Sequence, residues 1–238
     1  MRILAAVVLS LAISFVTASP VATADTAQGV VKSLQGLVRV KPSGVETWNK
    51  AKKGDSVRGG DVLRTMEDSK VQLAMRDGGI VTIGPLATLE VRDPQAAEGA
   101  AKGGVKARLK LLLGSIVARI SRQKAGEEFS IETPIAVASV KGTHFGMRMS
   151  KDELMDLIVL DGHVKLVNSM GSQDVKGGYL LKVRGGQAPP PPAKFDPNKA
   201  PGWLGGLVGS DTEDKFMKAT IKGSDGVERE VVLKFSNK

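Results

Sequence analysis

Apolar and polar residues alternate in short runs along most of this chain, and Gly, Asp and Pro cut the runs. Gly36-Leu37-Val38-Arg39-Val40 is one such run. Val71-Gln72-Leu73-Ala74-Met75 stops at Arg76-Asp77-Gly78-Gly79. Ile80-Val81-Thr82-Ile83 stops at Gly84-Pro85, and Ala87-Thr88-Leu89-Glu90-Val91 follows. A period of two places one side of each run in a core and the other, with its Lys, Arg, Gln and Thr, outside; the cuts are turn signals. Helix signals are scarce. Lys106 to Leu113 is read as a strand, because Gly114 and the β-branched Ile116-Val117 continue it.

A phrase recurs along the chain. Leu34-Gln35-Gly36-Leu37-Val38, Leu113-Gly114-Ser115-Ile116-Val117 and Leu160-Asp161-Gly162-His163-Val164 each set Gly at a turn or bulge before an alternating strand. The spacing is too irregular for a short-period array, but an imperfect coil of strands fits.

Three stretches leave this pattern. Arg2 followed by the apolar Ile3 to Val16, a helix-breaking Thr17 to Val21 and the small-x-small Ala22-Thr23-Ala24 read as a signal peptide, 1–24, cleaved before Asp25. Its apolar run is short for a membrane span, so a mature protein without a transmembrane segment is expected, periplasmic or secreted. Gln95 to Gly104 is Ala/Gly-rich and reads as a loop. Gly185 to Pro201 holds Pro189-Pro190-Pro191-Pro192, then Pro197 and Pro201; four consecutive prolines favour a stiff extended spacer. Residues 188–203 are therefore read as a linker. Beyond it, Met217 to Ile221 and Val231 to Phe235 alternate around Gly223-Ser224-Asp225-Gly226, which reads as a β-hairpin within 204–238.

Composition changes this picture in two respects. The chain has no Cys, so neither disulfides nor thiolate metal sites hold it together. Its formal charge is +9, and loss of Arg2 with the signal peptide gives 9 − 1 = +8. That charge suits anionic surfaces and glycans, or serves solubility alone. The basic residues are scattered among apolar ones without the interleaved aromatics of a nucleic-acid platform, so nucleic acid is not expected as a partner.

Catalytic chemistry finds little footing. His144 and His163 are the only histidines. A metal shared with Asp161 or Glu132 would lack short ligand spacing, so no metal is assigned. His144 is expected to face outward on a strand, and His163 to be solvated beside a turn. Arg58-Gly59-Gly60 and Lys176-Gly177-Gly178 are read as turns rather than anion nests. Asp152, Glu153 and Asp156 are read as a solvated group. No phosphate loop, zinc-protease helix or nucleophile elbow is present. The chain is read as non-enzymatic, with no catalytic residue and no cofactor.

Several ordered pieces together resemble the FecR domain family. They are Trp48, Lys53-Gly54-Asp55-Ser56-Val57, Gly60-Asp61-Val62-Leu63-Arg64-Thr65 and Arg76 to Pro85. Leu113-Gly114-Ser115-Ile116, Phe129 to Phe145 with Thr133-Pro134 and Lys141-Gly142-Thr143-His144-Phe145, and Val159-Leu160-Asp161-Gly162-His163-Val164 follow. The resemblance spans about residues 28 to 187. It implies an all-β domain, a twisted and solenoid-like stack of short strands, with the hairpin appended after the Pro-rich linker. The family's best-known members are inner-membrane regulators with a cytoplasmic anti-sigma segment, one membrane helix and this domain outside, where it meets a transducer. Here a signal peptide stands in place of the cytoplasmic segment, so the resemblance implies only the exported module. Trp48 and Phe145 are expected to anchor the core, or, if exposed, to anchor a partner. Thr133-Pro134 is expected to fix a strand entry, and Gly142-Thr143 to end a strand where another backbone passes closely.

The function expected from all this is an exported envelope protein acting as a protein-interaction or scaffolding module. The alternative is an envelope protein that binds a polyanion or anionic glycan through its basic surface. The partner is an envelope or surface protein of unknown identity, and no residue is assigned to its contact.

Overall fold

The computed structural model describes residues 27–76, 78–92, 105–121, 128–208, 216–222 and 228–234. The signal peptide with its cleavage site, the Gln95 to Gly104 loop and the 223–226 turn lie outside the described residues.

The alternating runs become strands, and the chain is mostly β. The first half supplies β1 (Gly29–Gln35), β2 (Val38–Lys41), β3 (Asn49–Lys50), β4 (Ser56–Val57), β5 (Val62–Thr65), β6 (Lys70–Met75), β7 (Ile80–Ile83) and β8 (Thr88–Arg92). A long β9 (Val105–Arg119) follows. The second half supplies β10 (Glu128–Glu132), β11 (Val137–Val140), β12 (His144–Met149), β13 (Leu154–Asp161), β14 (His163–Asn168), β15 (Gly171–Lys176), β16 (Tyr179–Arg184) and β17 (Ala193–Lys194). A 3-10 turn at Pro197–Lys199 and one short helix, α1 (Gly202–Val208), come next. Strands β18 (Phe216–Lys222) and β19 (Glu228–Lys234) pair antiparallel as a separate two-stranded sheet, with Lys222 opposite Glu228.

Strands β1 to β17 sort into two open sheets that share β9. Sheet I runs β4-β1-β6-β7-β9-β12-β13-β16-β17, antiparallel throughout. Sheet II runs β3-β2-β5-β8-β9-β10-β11-β14-β15, antiparallel except for the parallel β9–β10 pair. Residues 105–113 of β9 pair in sheet II, and residues 114–119 pair in sheet I. Leu63, Leu89, Leu109 and Leu111 from sheet II meet Leu73, Ile83, Ile116 and Phe145 from sheet I in one buried cluster. Burial of such side chains contributes about 1.5–3 kcal/mol each, and this shared core holds the two sheets together.

The recurring Gly marks the points where the chain changes sheets. Gly36 lies between β1 and β2, Gly114 at the switch within β9, and Gly162 between β13 and β14. All three have positive φ (73°, 93° and 85°). At Gly114 a Cβ would also collide with both the backbone and the side chain of Ala87, so no other residue fits there unstrained. Side-chain hydroxyls fasten the neighbouring corners. Ser69 Oγ accepts from Leu37 N–H at 2.9 Å. Thr143 Oγ1 donates to the His163 carbonyl at 2.8 Å and accepts from its N–H at 3.2 Å. The passing backbone expected beside Gly142-Thr143 is thus the Gly162-His163 corner. Thr133 exchanges side-chain hydrogen bonds with Ala136 and closes the β10–β11 hairpin, so it serves the exit from one strand as much as the entry to the next. Buried Asp61 accepts from the Ser43 and Arg58 amides, both at 2.9 Å, and fixes the loop before β5.

The chain after the four prolines is packed against the domain rather than spaced away from it. β17 pairs with Tyr179 and Leu180 of β16, and the Phe195 N–H donates to the Gly178 carbonyl at 2.8 Å. Phe195 is buried, and so are Leu204 and Leu207 of α1. Residues 193–208 therefore form a strap on the outer side of sheet I, and the packed unit continues past the boundary read at 187. An extended proline run can lie along a sheet edge without donating to it, and the apolar residues after it supply the attachment.

Candidate functional site

The outer side of sheet I has an apolar strip where an all-β protein ordinarily shows polar side chains. In register across four strands stand Val117, Gly146, Ile158 and Leu180. Val117 and Ile158 are buried although they point away from the main core. They form a second cluster with Phe195, Leu204 and Leu207, and Leu160, Leu180, Trp203 and Val208 pack around its rim. Gly146 is the floor of this groove. A Cβ there would lie 2.5 Å from Leu204 Cδ1 and 3.0 Å from the Trp203 ring. Gly84 makes room beside it, with Leu207 Cδ1 3.1 Å from where its Cβ would stand. The two missing side chains shape a trough for one short helix.

The occupant fits its apolar side well and its polar atom badly. Among the described residues, the buried indole Nε1 of Trp203 has no hydrogen-bond partner. An indole N–H can only donate, so docking removes it from water without replacement.

The outer side of sheet II has a different character. Arg39 of β2 lies directly opposite both Lys50 of β3 and Arg64 of β5. Trp48 shares this face, and the Arg64 guanidinium carbon sits 4.5 Å above its ring centroid. Trp48 is half-buried, so it is not the core anchor expected from the sequence; Phe145, fully buried, is. Further along, Arg92 faces Arg108, and Arg108 faces Ser130, whose buried hydroxyl has no partner among the described residues. Glutamates partly neutralise this second group. Glu90 lies 3.2 Å from Arg92 Nε, and Glu132 lies 3.8 Å from Arg108. The first contact runs through Arg92 Nε without hydrogen-bond geometry, and the second through Arg108 Nη1.

The other singled-out residues stay apart. His144 is half-buried on β12 opposite Arg119 and Asp161. His163 is exposed, with Nε2 2.9 Å from Asp174 Oδ1. Asp152 and Glu153 are exposed in a turn, and Asp156 lies 3.8 Å from Lys182. Among the described residues, no three of His, Asp or Glu are grouped to hold a metal ion, and no helix is long and apolar enough to cross a membrane.

Comparison with known proteins finds a family match for part of the chain and a likeness of fold. No curated protein sequence matches the chain. Two crystal structures of a candidate anti-sigma factor from Parabacteroides distasonis share the fold. One is 20% identical with a TM-score of 0.50, covering 61% of this chain and 65% of that one. The other is 18% identical with a TM-score of 0.51, covering 61% and 64%. The match therefore spans somewhat less than two thirds of those chains, and the likeness is one of fold. Residues 61–165 match the family model described as FecR protein. That segment runs from the Asp61 loop, through the β9 switch and the Gly146 groove floor, to β14, and it is the part of the chain that matches the FecR family.

Proposed function

We propose that this protein is an exported, non-catalytic interaction module of the cell envelope, and that the trough on sheet I is its partner-binding surface. The observation that carries the reading is the poor occupant the trough now holds. α1 has seven residues, of which Gly202, Gly205 and Gly206 are glycine. Each interior Gly costs about 1 kcal/mol relative to Ala, and so short a helix has little stability of its own. The buried, unpaired Trp203 indole adds a cost of about 1–3 kcal/mol to the docked state. A strap held in this way is displaceable. A partner helix with an apolar ridge, better formed and better hydrogen-bonded, takes the same trough in the helix-in-groove manner.

The family supports a regulatory rather than catalytic role. Export rests on the Ile3 to Val16 run and the Ala22-Thr23-Ala24 site. The protein recovered from its envelope is expected to begin at Asp25 by mass spectrometry; an intact Met1 contradicts the export half of the proposal. A photo-reactive residue at Leu180, on the rim of the trough, tests the binding half. It is expected to cross-link one discrete envelope protein, more strongly when Leu204→Asp and Leu207→Asp release the strap. Equal or absent adducts with and without release contradict it.

A further inference from the structure

The geometry points to a separate site for an acidic saccharide on the opposite side of the molecule, built from Trp48, Lys50, Arg39, Arg64 and Lys41 on the outer face of sheet II. Cross-strand register puts Lys50, Arg39 and Arg64 in one row across β3, β2 and β5. Neighbouring strands are about 4.8 Å apart, so the row spans about 10 Å. Like charges placed directly opposite each other destabilise a sheet. The row holds three of them, and no described carboxylate forms an ion pair with any of the three. Lys41, at the next outward position of β2, is paired at 3.5 Å with Glu46, whose side chain is 94% exposed. This contrasts with Arg92 and Arg108, each of which already has a glutamate beside it. The row by Trp48 is the unneutralised part of the face.

Trp48 narrows the ligand class. Its ring lies on the same side as the row and is held in place by Arg64 stacked 4.5 Å from its centroid. A half-buried indole with a guanidinium over one face, in a row that also carries an ammonium group, suits a ligand with both an apolar C–H surface for the rest of the ring and carboxylate or sulfate groups. A sugar acid has both. The row contains one aromatic ring only, whereas a nucleic-acid strand is bound by successive rings on which its bases stack. An anionic polysaccharide is therefore the occupant.

Binding of polygalacturonate oligomers and of a sulfated glycan to the full protein tests the site. Neutral dextran and a short single-stranded DNA serve as comparison ligands, and Trp48 emission as one readout. Arg39→Gln with Arg64→Gln is expected to weaken acidic-glycan binding by about tenfold or more, as loss of two charge contacts does. Trp48→Phe is expected to remove the ligand-induced emission change. Arg148→Gln with Arg184→Gln removes the same charge from exposed positions on sheet I and is expected to leave affinity within about twofold, since screening confines such effects to nearby groups. Thermal unfolding confirms that each variant is folded. Equal losses in the two double variants would show diffuse charge attraction and overturn the site. DNA binding as tightly as the glycans, with the same arginine dependence, would overturn the ligand class. Absence of acidic-glycan binding at about 0.15 M salt, where the Debye length is about 8 Å, would overturn both.

Discussion

The outer faces of sheets I and II come from the same alternation of residues but are finished in opposite ways. On sheet I, the outward positions of the central strands are Val117, Gly146 and Ile158, and the chain covers them with its own α1. On sheet II, the outward positions near the β3 edge are Arg39, Lys50 and Arg64, and they repel one another in the open. The first face is an apolar surface with a weak lid, and the second is a charged surface with an unmatched charge. An apolar face must be covered by something, whereas a charged face must be neutralised by something. One molecule thus presents two unlike demands, separated by a common core.

The largest effect should come from that core, because it supports both faces. Phe145→Ala empties a site with no solvent exposure and is expected to cost about 3–5 kcal/mol in chemical unfolding. Strap docking and any glycan binding should weaken together. Loss of one property alone would show that the sheets do not depend on a shared core.

Gly146→Val should separate the faces. Its side chain would overlap Leu204 and Trp203, at a cost of about 1–3 kcal/mol as overpacking usually gives. In a Trp48→Phe background, Trp203 emission should move to the red as the strap lifts. The cationic row should be unaffected, since β12 pairs only within sheet I.

The smallest effect on stability is expected at Arg64. Arg64→Gln loses a cation–π contact worth about 0.5–1 kcal/mol at an exposed site. It also relieves the repulsion from Arg39 directly across the strand pair. Denaturant midpoints should barely move while acidic-glycan affinity falls. A marked loss of stability would make Arg64 a structural clamp on Trp48 instead.

Much of the fold was legible because period-two patterning is local. The recurring Gly at positions 36, 114 and 162 marked the sheet crossings, since only a residue tolerant of positive φ serves at such corners. Phe145 was legible as a core residue from its size in a chain with few aromatics. Trp48 was not legible as an exposed-face residue. It stands one residue before the two-residue β3, where no alternation tells in from out, and a guanidinium covers it.

The candidate site was largely hidden in the sequence. Gly146 gives no side-chain signal, and it matters only because a helix crosses above it. The helix itself, Gly-Trp-Leu-Gly-Gly-Leu-Val, has neither the length nor the propensity to read as one. The four prolines before it pointed to a stiff extended spacer, whereas the β16–β17 pairing and the packing of Phe195, Leu204 and Leu207 hold the strap down. The row of Lys50, Arg39 and Arg64 was scattered in sequence, because cross-strand register depends on turns and loops of different lengths.

If the sheet I trough binds a partner once the strap leaves it, a reversible lock on the strap controls that binding. The chain has no cysteine, so Gly146→Cys with Leu204→Cys introduces a single possible disulfide where the floor and the helix already touch. The photo-reactive residue at Leu180 reports on occupancy. The oxidised protein is expected to form no adduct with the envelope partner, and reduction to restore it, with the fold unchanged by circular dichroism. Equal cross-linking before and after reduction would mean that the partner binds elsewhere than in the trough.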